Sequence, residues 1–355
     1  MKTVSAILFL SAIYSCKQDS PEPVKEYDKS EGVFICNEGN YTYGNASLSF
    51  YDPENKQILN DIFYNANDFP LGDVCMSAAI KDSIAFLIIN NSGKISVINT
   101  NTFKHIATIS NLTSPRYMCI ISDTKAYVTD LYNTNITVIN PSDFTITGSV
   151  AVGKGSEQIT LYKNFAYVTG WSYNDKIYKI NTDTDILTDS LTVTKQPNSI
   201  CLDCNNKLWV LSDGGFDGIP GGQDTAALTK IDAETFSIEK IFKFPSLEPS
   251  PSRLTINASG DTLFFINSSW SSGEDDYKGI YKMSVNSGKL PGNSFIPADG
   301  KLFYGLGTDP ANSDIYVSDA VDYIQRGNIY RYSSNGTILD TFRTGIIPSF
   351  FAFKK

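Results

Sequence analysis

The sequence predicts an all-β chain folded as a seven-bladed β-propeller, closed by the C-terminal strand joining the first blade. Three observations predict it. An apolar–aromatic–apolar triplet recurs seven times: Val33-Phe34-Ile35, Ala85-Phe86-Leu87, Ala126-Tyr127-Val128, Ala166-Tyr167-Val168, Leu208-Trp209-Val210, Leu263-Phe264-Phe265 and Ile315-Tyr316-Val317. The intervals are 52, 41, 40, 42, 55 and 52 residues, lengths suited to blades of four strands. Finally, the first triplet has no apolar strand before it, while the last strand, 349–353, has no triplet after it. The spare strand fits the missing place.

The clearest repeat is 126–153. Residues 126–129 are β-branched and aromatic, and 135–140 and 146–152 alternate with a period of two. Asn140-Pro141-Ser142-Asp143 supplies the turn, because Pro presets φ while Asn and Asp bond their own backbone. Three such strands cannot bury both faces alone, so neighbouring copies must cover them. Each triplet is followed by a mostly apolar pair: Leu48/Tyr51, Ile95/Ile98, Ile136/Ile139, Ile177/Ile180, Leu228/Ile231, Ile280/Met283 and Ile329/Tyr332. Fourth strands begin near Pro115-Arg116-Tyr117, Pro197-Asn198-Ser199, Pro251-Ser252-Arg253 and Pro348-Ser349-Phe350. An eight-bladed ring and an open β-solenoid are the alternatives, and the matching spare and missing strands argue against the open form.

Residues 1–15 read as a lipoprotein signal peptide. Lys2 is its charged start, 4–13 its apolar core, and Ile13-Tyr14-Ser15-Cys16 a lipobox whose Cys16 would be acylated. Residues 16–31, with Pro21, Pro23 and several charges, suit a flexible tether, and 32–355 form the propeller. No later segment has 18 consecutive apolar residues, so acyl chains would be the membrane anchor. With net charge −9 and pI near 4.7, the chain has no means of neutralising a run of phosphates, which excludes nucleic acid as a partner.

The remaining cysteines, Cys36, Cys75, Cys119, Cys201 and Cys204, are odd in number and scattered through strands. They read as small buried hydrophobes. The C-x-x-C at 201–204 has no helix to lower a thiol pKa and no second copy to complete a zinc site.

Propeller turns alternate between two faces. On one, 81–83, 122–125, 140–143, 181–185 and 232–235 are short and polar. On the other, 37–47, 64–73, 131–135, 170–176, 212–226, 268–279, 297–304 and 319–328 are longer and rich in aromatics. The candidate ligand-binding residues are Tyr41, Tyr43, Phe69, Tyr132, Trp171, Tyr173, Phe216, Trp270, Tyr277 and Tyr323, with Arg116 as a donor. Rigid aromatics with polar tips, gathered on one loop face, are what a binding surface requires.

Catalytic signals are thin, and the expectation is a binding protein with no intrinsic cofactor or metal. The single histidine, His105, lies beside the 99–102 turn on the polar face. Asp213, Asp217 and Asp224 share a glycine-rich loop without EF-hand spacing. Were the chain a metal-dependent lactonase-like enzyme, Glu38, Asp130, Asn198 and Asp319 are the residues that would face its channel.

The loop words then carry a resemblance. Asn37-Glu38-Gly39-Asn40-Tyr41, Leu71-Gly72-Asp73-Val74, Asn90-Asn91-Ser92-Gly93 and Leu112-Thr113-Ser114-Pro115-Arg116-Tyr117 form its first half. Ser212-Asp213-Gly214-Gly215, Ile231-Asp232-Ala233-Glu234-Thr235-Phe236 and Gly345-Ile346-Ile347-Pro348 complete it. Together they resemble the BtuG family, the YncE-like cobalamin-capturing surface lipoproteins of Bacteroidota. The resemblance covers almost all of 32–355. It implies an outer-membrane propeller, exposed at the cell surface, that binds corrinoids on its loop face and passes them to a TonB-dependent transporter. A surface propeller for protein–protein interaction is the alternative of a different class.

Overall fold

The structure is a computed structural model that describes residues 31–219, 221–269 and 278–355. Seven four-stranded antiparallel sheets are arranged as blades, as the repeat predicts. The third blade shows the order from centre to rim: Pro115–Ser122, Lys125–Asp130, Asn135–Asn140 and Thr145–Ala151. Its innermost strand touches the innermost strands of its two neighbours, and the same holds round the whole ring. That ring of strands encloses the central channel.

Closure falls where the spare strand points. Pro348–Lys354 pairs with Gly32–Asn37, with Phe34 opposite Ala352 and Ile35 opposite Phe351. It also touches the inner strands Phe303–Thr308 and Cys75–Lys81, so the ends of the chain are tied to both neighbouring blades. Phe351 and Phe353 lie against Tyr316 of the seventh blade, at centroid distances of 5.7 and 5.5 Å.

Burial explains the repeat. The middle residue of every triplet, from Phe34 to Tyr316, is at most 1% exposed, and the pairs that follow are at most 8% exposed. Alternation sends these residues to the two faces of each sheet, and neighbouring blades cover both. Polar tips find partners too: Trp209 Nε1 donates to Asp203, just after the inner strand of its blade, at 2.8 Å, and Tyr51 OH to Asp340, on an outer strand, at 2.6 Å. Fully burying a large apolar side chain contributes about 1.5–3 kcal/mol, so a seven-fold repetition is a large share of the folding drive.

Three expectations need correction. The stretch 64–73, read as a loop, begins inside a short helix, Ile62–Asn67, whose Ile62 and Phe63 are buried in the cluster between the first two blades. Among the cysteines, Cys204 is exposed rather than buried, because it sits on the turn that Asp203 caps. Cys119 is partly buried, while Cys36, Cys75 and Cys201 are buried. Among the described residues, no helix is long and apolar enough to cross a membrane.

Candidate functional site

A local irregularity at the top of the inner strands builds the site. In six blades the register slips where the inner strand meets its neighbour: at Cys75/Ser77, Pro115/Met118, Pro197/Ser199, Ser252/Thr255, Phe303/Leu306 and beside Ser349. The fourth blade does the equivalent through Glu157 and Gln158, which both bond Thr169: Glu157 N donates to its carbonyl at 2.8 Å, and its N–H donates to Gln158 O at 2.9 Å. A bulge re-aims side chains that a regular strand would send into the sheet interfaces. Here it frees Arg116, Arg253, Tyr304 and Ser349 to meet across blades, while Asn198 donates to Pro251 O at 2.9 Å.

They meet in a buried polar network. Arg116 holds Glu157 with two parallel bonds of 2.7 Å, from Nε and from Nη2. Arg253, in the left-handed region at φ 58°, donates to Tyr304 O at 3.2 Å and to Tyr117 OH at 3.1 Å. Tyr304 OH donates to Glu38 Oε2 at 3.0 Å, and Arg253 Nη2 stands 3.8 Å from Glu38 Oε1. Glu38 itself is held by backbone bonds, its N–H donating to Ile347 O at 2.9 Å. The next residue must be glycine: Gly39 has φ 71°, and a Cβ there would come within 2.4 Å of Asn45 Oδ1.

Burial raises the Glu38 pKa above its ordinary value, with Arg253, Arg116, Tyr304 and Ser349 offsetting part of the rise. Burial works against the charge of Arg116 too, but Glu157 outweighs it and the guanidinium is held more firmly charged than in water. The Tyr304 hydroxyl is pushed up by burial and by Glu38, so it acts as a donor.

Beside this network lies a cleft of about 530 Å³, lined by Tyr132, Trp171, Tyr173, Gln196, Asp213 and Phe216 among others. Trp171 joins the two. Arg116 lies over its ring at 5.7 Å, while its Nε1 donates to Asp213 at 3.0 Å. Asp213 also accepts from Gly215 N at 2.8 Å; its pKa is raised by burial, against the pull of these donors. Tyr173 and Phe216 meet edge to face at 6.3 Å.

The structure therefore gathers Arg116, Tyr132, Trp171, Tyr173 and Phe216. Tyr323 lies across the mouth, 5.8 Å from Tyr304 ring to ring. Tyr41 and Tyr43 stand on the loop after Glu38, 67% and 78% exposed. Phe69 is not in this group. The helix carries it to the flank of the second blade, where it packs on Phe63 at 5.2 Å and on His105 at 5.5 Å. Trp270 and Tyr277 lie outside the described residues, as does Cys16. The residues that the sequence does not single out are Tyr117, Glu157 and Arg253, while Tyr304 is one of the loop-face aromatics; the signal that marks Arg253 is the Pro that opens four of the inner strands, at 115, 197, 251 and 348.

Two of the acidic channel candidates are otherwise engaged. Asp130 accepts from Thr113, Ser114, Tyr132 and Asn133 backbone N–H groups, and Asp319 from those of Leu302 and Val321. Each clamps its own loop. Asp213 and Asp224 are likewise divided, Asp224 lying 3.6 Å from Lys195. Among the described residues, no three His, Cys, Asp or Glu side chains are grouped to hold a metal ion.

The family described as Domain of unknown function (DUF5074) matches residues 31–344, and the chain belongs to it. No curated protein matches it. Among solved structures it is similar to a quinonprotein alcohol dehydrogenase-like protein from Bacteroides thetaiotaomicron, at TM-score 0.67 and 16% identity over 92% of this chain and 79% of that one. A functionally unknown protein from Desulfotomaculum acetoxidans matches at TM-score 0.65 and 12% identity, over 91% and 98% of the two chains. Hydrazine synthase from Kuenenia stuttgartiensis matches at 0.60 and 13%, over 78% and 88%. At these identities the likeness shows the propeller fold alone.

Proposed function

Taking the chain as a member of the DUF5074 family, we propose that it is a cell-surface ligand-capture protein. It binds a corrinoid on its loop face and passes it to a TonB-dependent outer-membrane transporter. The observation that carries the reading is the aromatic cleft opening beside a buried, charged channel mouth, with Trp171 shared between them. Pockets of about 300–1,000 Å³ with aromatic walls and a few convergent polar groups are the usual form of small-molecule sites. A corrinoid is a broad macrocycle rimmed with amides. Its area suits Trp171, Tyr173 and Tyr132, and its amides suit the carboxylates and guanidinium groups at the mouth. At roughly 0.3 kcal/mol per heavy atom, several tens of atoms approach the non-covalent limit of about 18–21 kcal/mol. The resemblance of the loop words to the BtuG family supports the same ligand class.

The chain acts by binding, not by catalysis, in this reading. A second reading has one observation in its favour: Tyr41, Tyr43 and Tyr132, at 67%, 78% and 73% exposure, offer area that suits a protein partner. Mixing the purified protein with cyanocobalamin and desalting it separates the two. Retained red colour supports capture, and a colourless protein favours the interaction propeller.

A further inference from the structure

A second cavity lies on the first blade and shares no lining residue with the aromatic cleft. In the third blade the outer strand covers its neighbour along the whole of Asn135–Asn140. In the first blade the outer strand is short, and Gln57–Leu59 covers only residues 50–52 of Ser47–Asp52. The chain then leaves the sheet at Asp61, in the left-handed region at φ 56°, and enters the helix Ile62–Asn67. Asn60 pins this departure, accepting from Ser49 Oγ at 2.7 Å and donating to Arg343 O at 3.1 Å. Where an outer strand would continue, a cavity of about 300 Å³ remains. Residues 44–48 line one side of it, and Asp61, Phe63, Tyr64, Asn65, Pro70 and Leu71 line the other.

The lining decides what fits. Asp61 does not cap its helix; its Oδ2 accepts from Arg326 Nη2 at 2.5 Å, and among the described residues nothing donates to Oδ1. Asn65 donates its amide to Asn60 O at 3.2 Å, which leaves its carbonyl oxygen as an acceptor. Tyr64, 56% exposed, offers an open ring, and Leu48, Phe63, Pro70 and Leu71 supply apolar wall. No Lys, Arg or His lines the cavity, and its one charge, Asp61, is already matched by Arg326. A ligand anion would meet only Asp61, and a ligand cation would have to displace Arg326. A neutral ligand with hydroxyl donors on its edge and C–H surface on its face satisfies both kinds of wall. We infer that this cavity is a site for a single hexopyranose ring, with adjacent hydroxyls donating to Asp61 Oδ1 and Asn65 Oδ1 and the C–H face against Tyr64. Its volume stands at the small end of the usual range for small-molecule sites, which suits one sugar ring and not a macrocycle. The inference is independent of the corrinoid reading.

The methyl α-D-pyranosides of glucose, galactose and mannose are titrated into the full chain, with binding read by saturation-transfer NMR. The control is 2-(hydroxymethyl)tetrahydropyran, a ring of the same size without the ring hydroxyls. At least one pyranoside is expected to bind in the millimolar range. The control should bind about tenfold or more weakly, the change expected of a lost charge-assisted hydrogen bond. Tyr64→Ala and Asp61→Gly should each weaken the bound pyranoside about tenfold. Tyr64 is 56% and the Asp61 side chain 36% exposed, and glycine accepts the left-handed backbone at 61, so both variants should melt close to wild type. Absence of binding by all three sugars at tens of millimolar overturns the site, as does equal binding of the control or an affinity that either variant leaves unchanged. Excess cyanocobalamin should leave the sugar signals in place, because the two cavities share no residue. Displacement by it would put the sugar in the aromatic cleft and overturn the assignment. Sugar binding by a protein that takes up no corrinoid leaves the inference standing while the corrinoid reading falls.

Discussion

Glu38 carries a carboxylate into a place where water barely reaches, and that sets a pH dependence. Its ordinary pKa of 4.5 is raised in the folded chain, by burial first, with Arg253, Arg116, Tyr304 and Ser349 pulling the other way. Cys75 and Tyr323 feel its charge and titrate well above it. Between 4.5 and the raised value the folded chain holds a proton that the unfolded chain has lost. The contribution of this group to stability therefore falls as pH rises through that window, and its penalty is complete above it. Glu38→Gln lacks this term, so its melting temperature should gain on wild type as pH is raised from 4.5 toward neutrality. A constant difference, or one that shrinks, contradicts the assignment. Arg116 gives a second prediction. Its side chain is 11% exposed and that of Glu157 4%, so Arg116→Ala leaves a buried charge unpaired and should cost about 3–5 kcal/mol in denaturant unfolding. Arg116→Lys should recover only part, because the planar fork that makes two bonds is gone. Full recovery by Lys would mean that charge alone matters there.

At the scale of single elements, the closing strand is the most exposed to test. Removing 345–355 strips the inner strand from the first blade, unpairs Gly32–Asn37 and uncovers the surface that Phe351 and Phe353 give to Tyr316. The truncated chain should be insoluble or lose its cooperative melt. A melt near the wild-type temperature would mean that the ring closes without this strand. This closure was legible in the sequence because it depends on counting: one strand too few at the start and one too many at the end. The triplets and following pairs were legible for a related reason, since a period of two fixes which side chains enter the sheet interfaces. The site was legible only in part. Aromatic loops announce themselves by composition, and Trp171, Tyr173, Tyr132 and Phe216 do line one cleft. Phe69 misled, because a short helix turns its loop down the flank to His105. Glu157 and Arg253 were missed for a deeper reason. A bulge changes which way a residue faces without changing the residue types around it, and the partners it joins lie one or more blades apart. Trp171→Ala should weaken a corrinoid by about thirtyfold or more, as the loss of a desolvated aromatic anchor does. His105→Ala, beside Phe69 on the flank, should leave the affinity unchanged; calorimetric titration reads both.

For the whole molecule, the two ends of the described chain and the candidate site lie at opposite ends of the strands. Gly32 pairs with Lys354 at one end of the first blade, while Glu38 follows Asn37 at the other. The described chain therefore starts on the side of the first blade away from the candidate site. We also propose that Cys16 is lipidated, as the lipobox suggests, and Cys16→Ser should then move the protein from the membrane fraction to the supernatant; a variant that stays membrane-bound contradicts it. The ring geometry also explains why one binding face suffices: seven inner strands converge, so residues from the first, third, fourth, sixth and seventh blades reach one network. The most direct test of the account is equilibrium titration of the purified propeller with cyanocobalamin, alongside the Trp171→Ala variant. The account predicts one corrinoid per chain, bound tightly enough to survive desalting and weakened about thirtyfold or more in the variant. A wild-type protein that remains colourless at micromolar corrinoid, or a variant that binds as well as wild type, contradicts it.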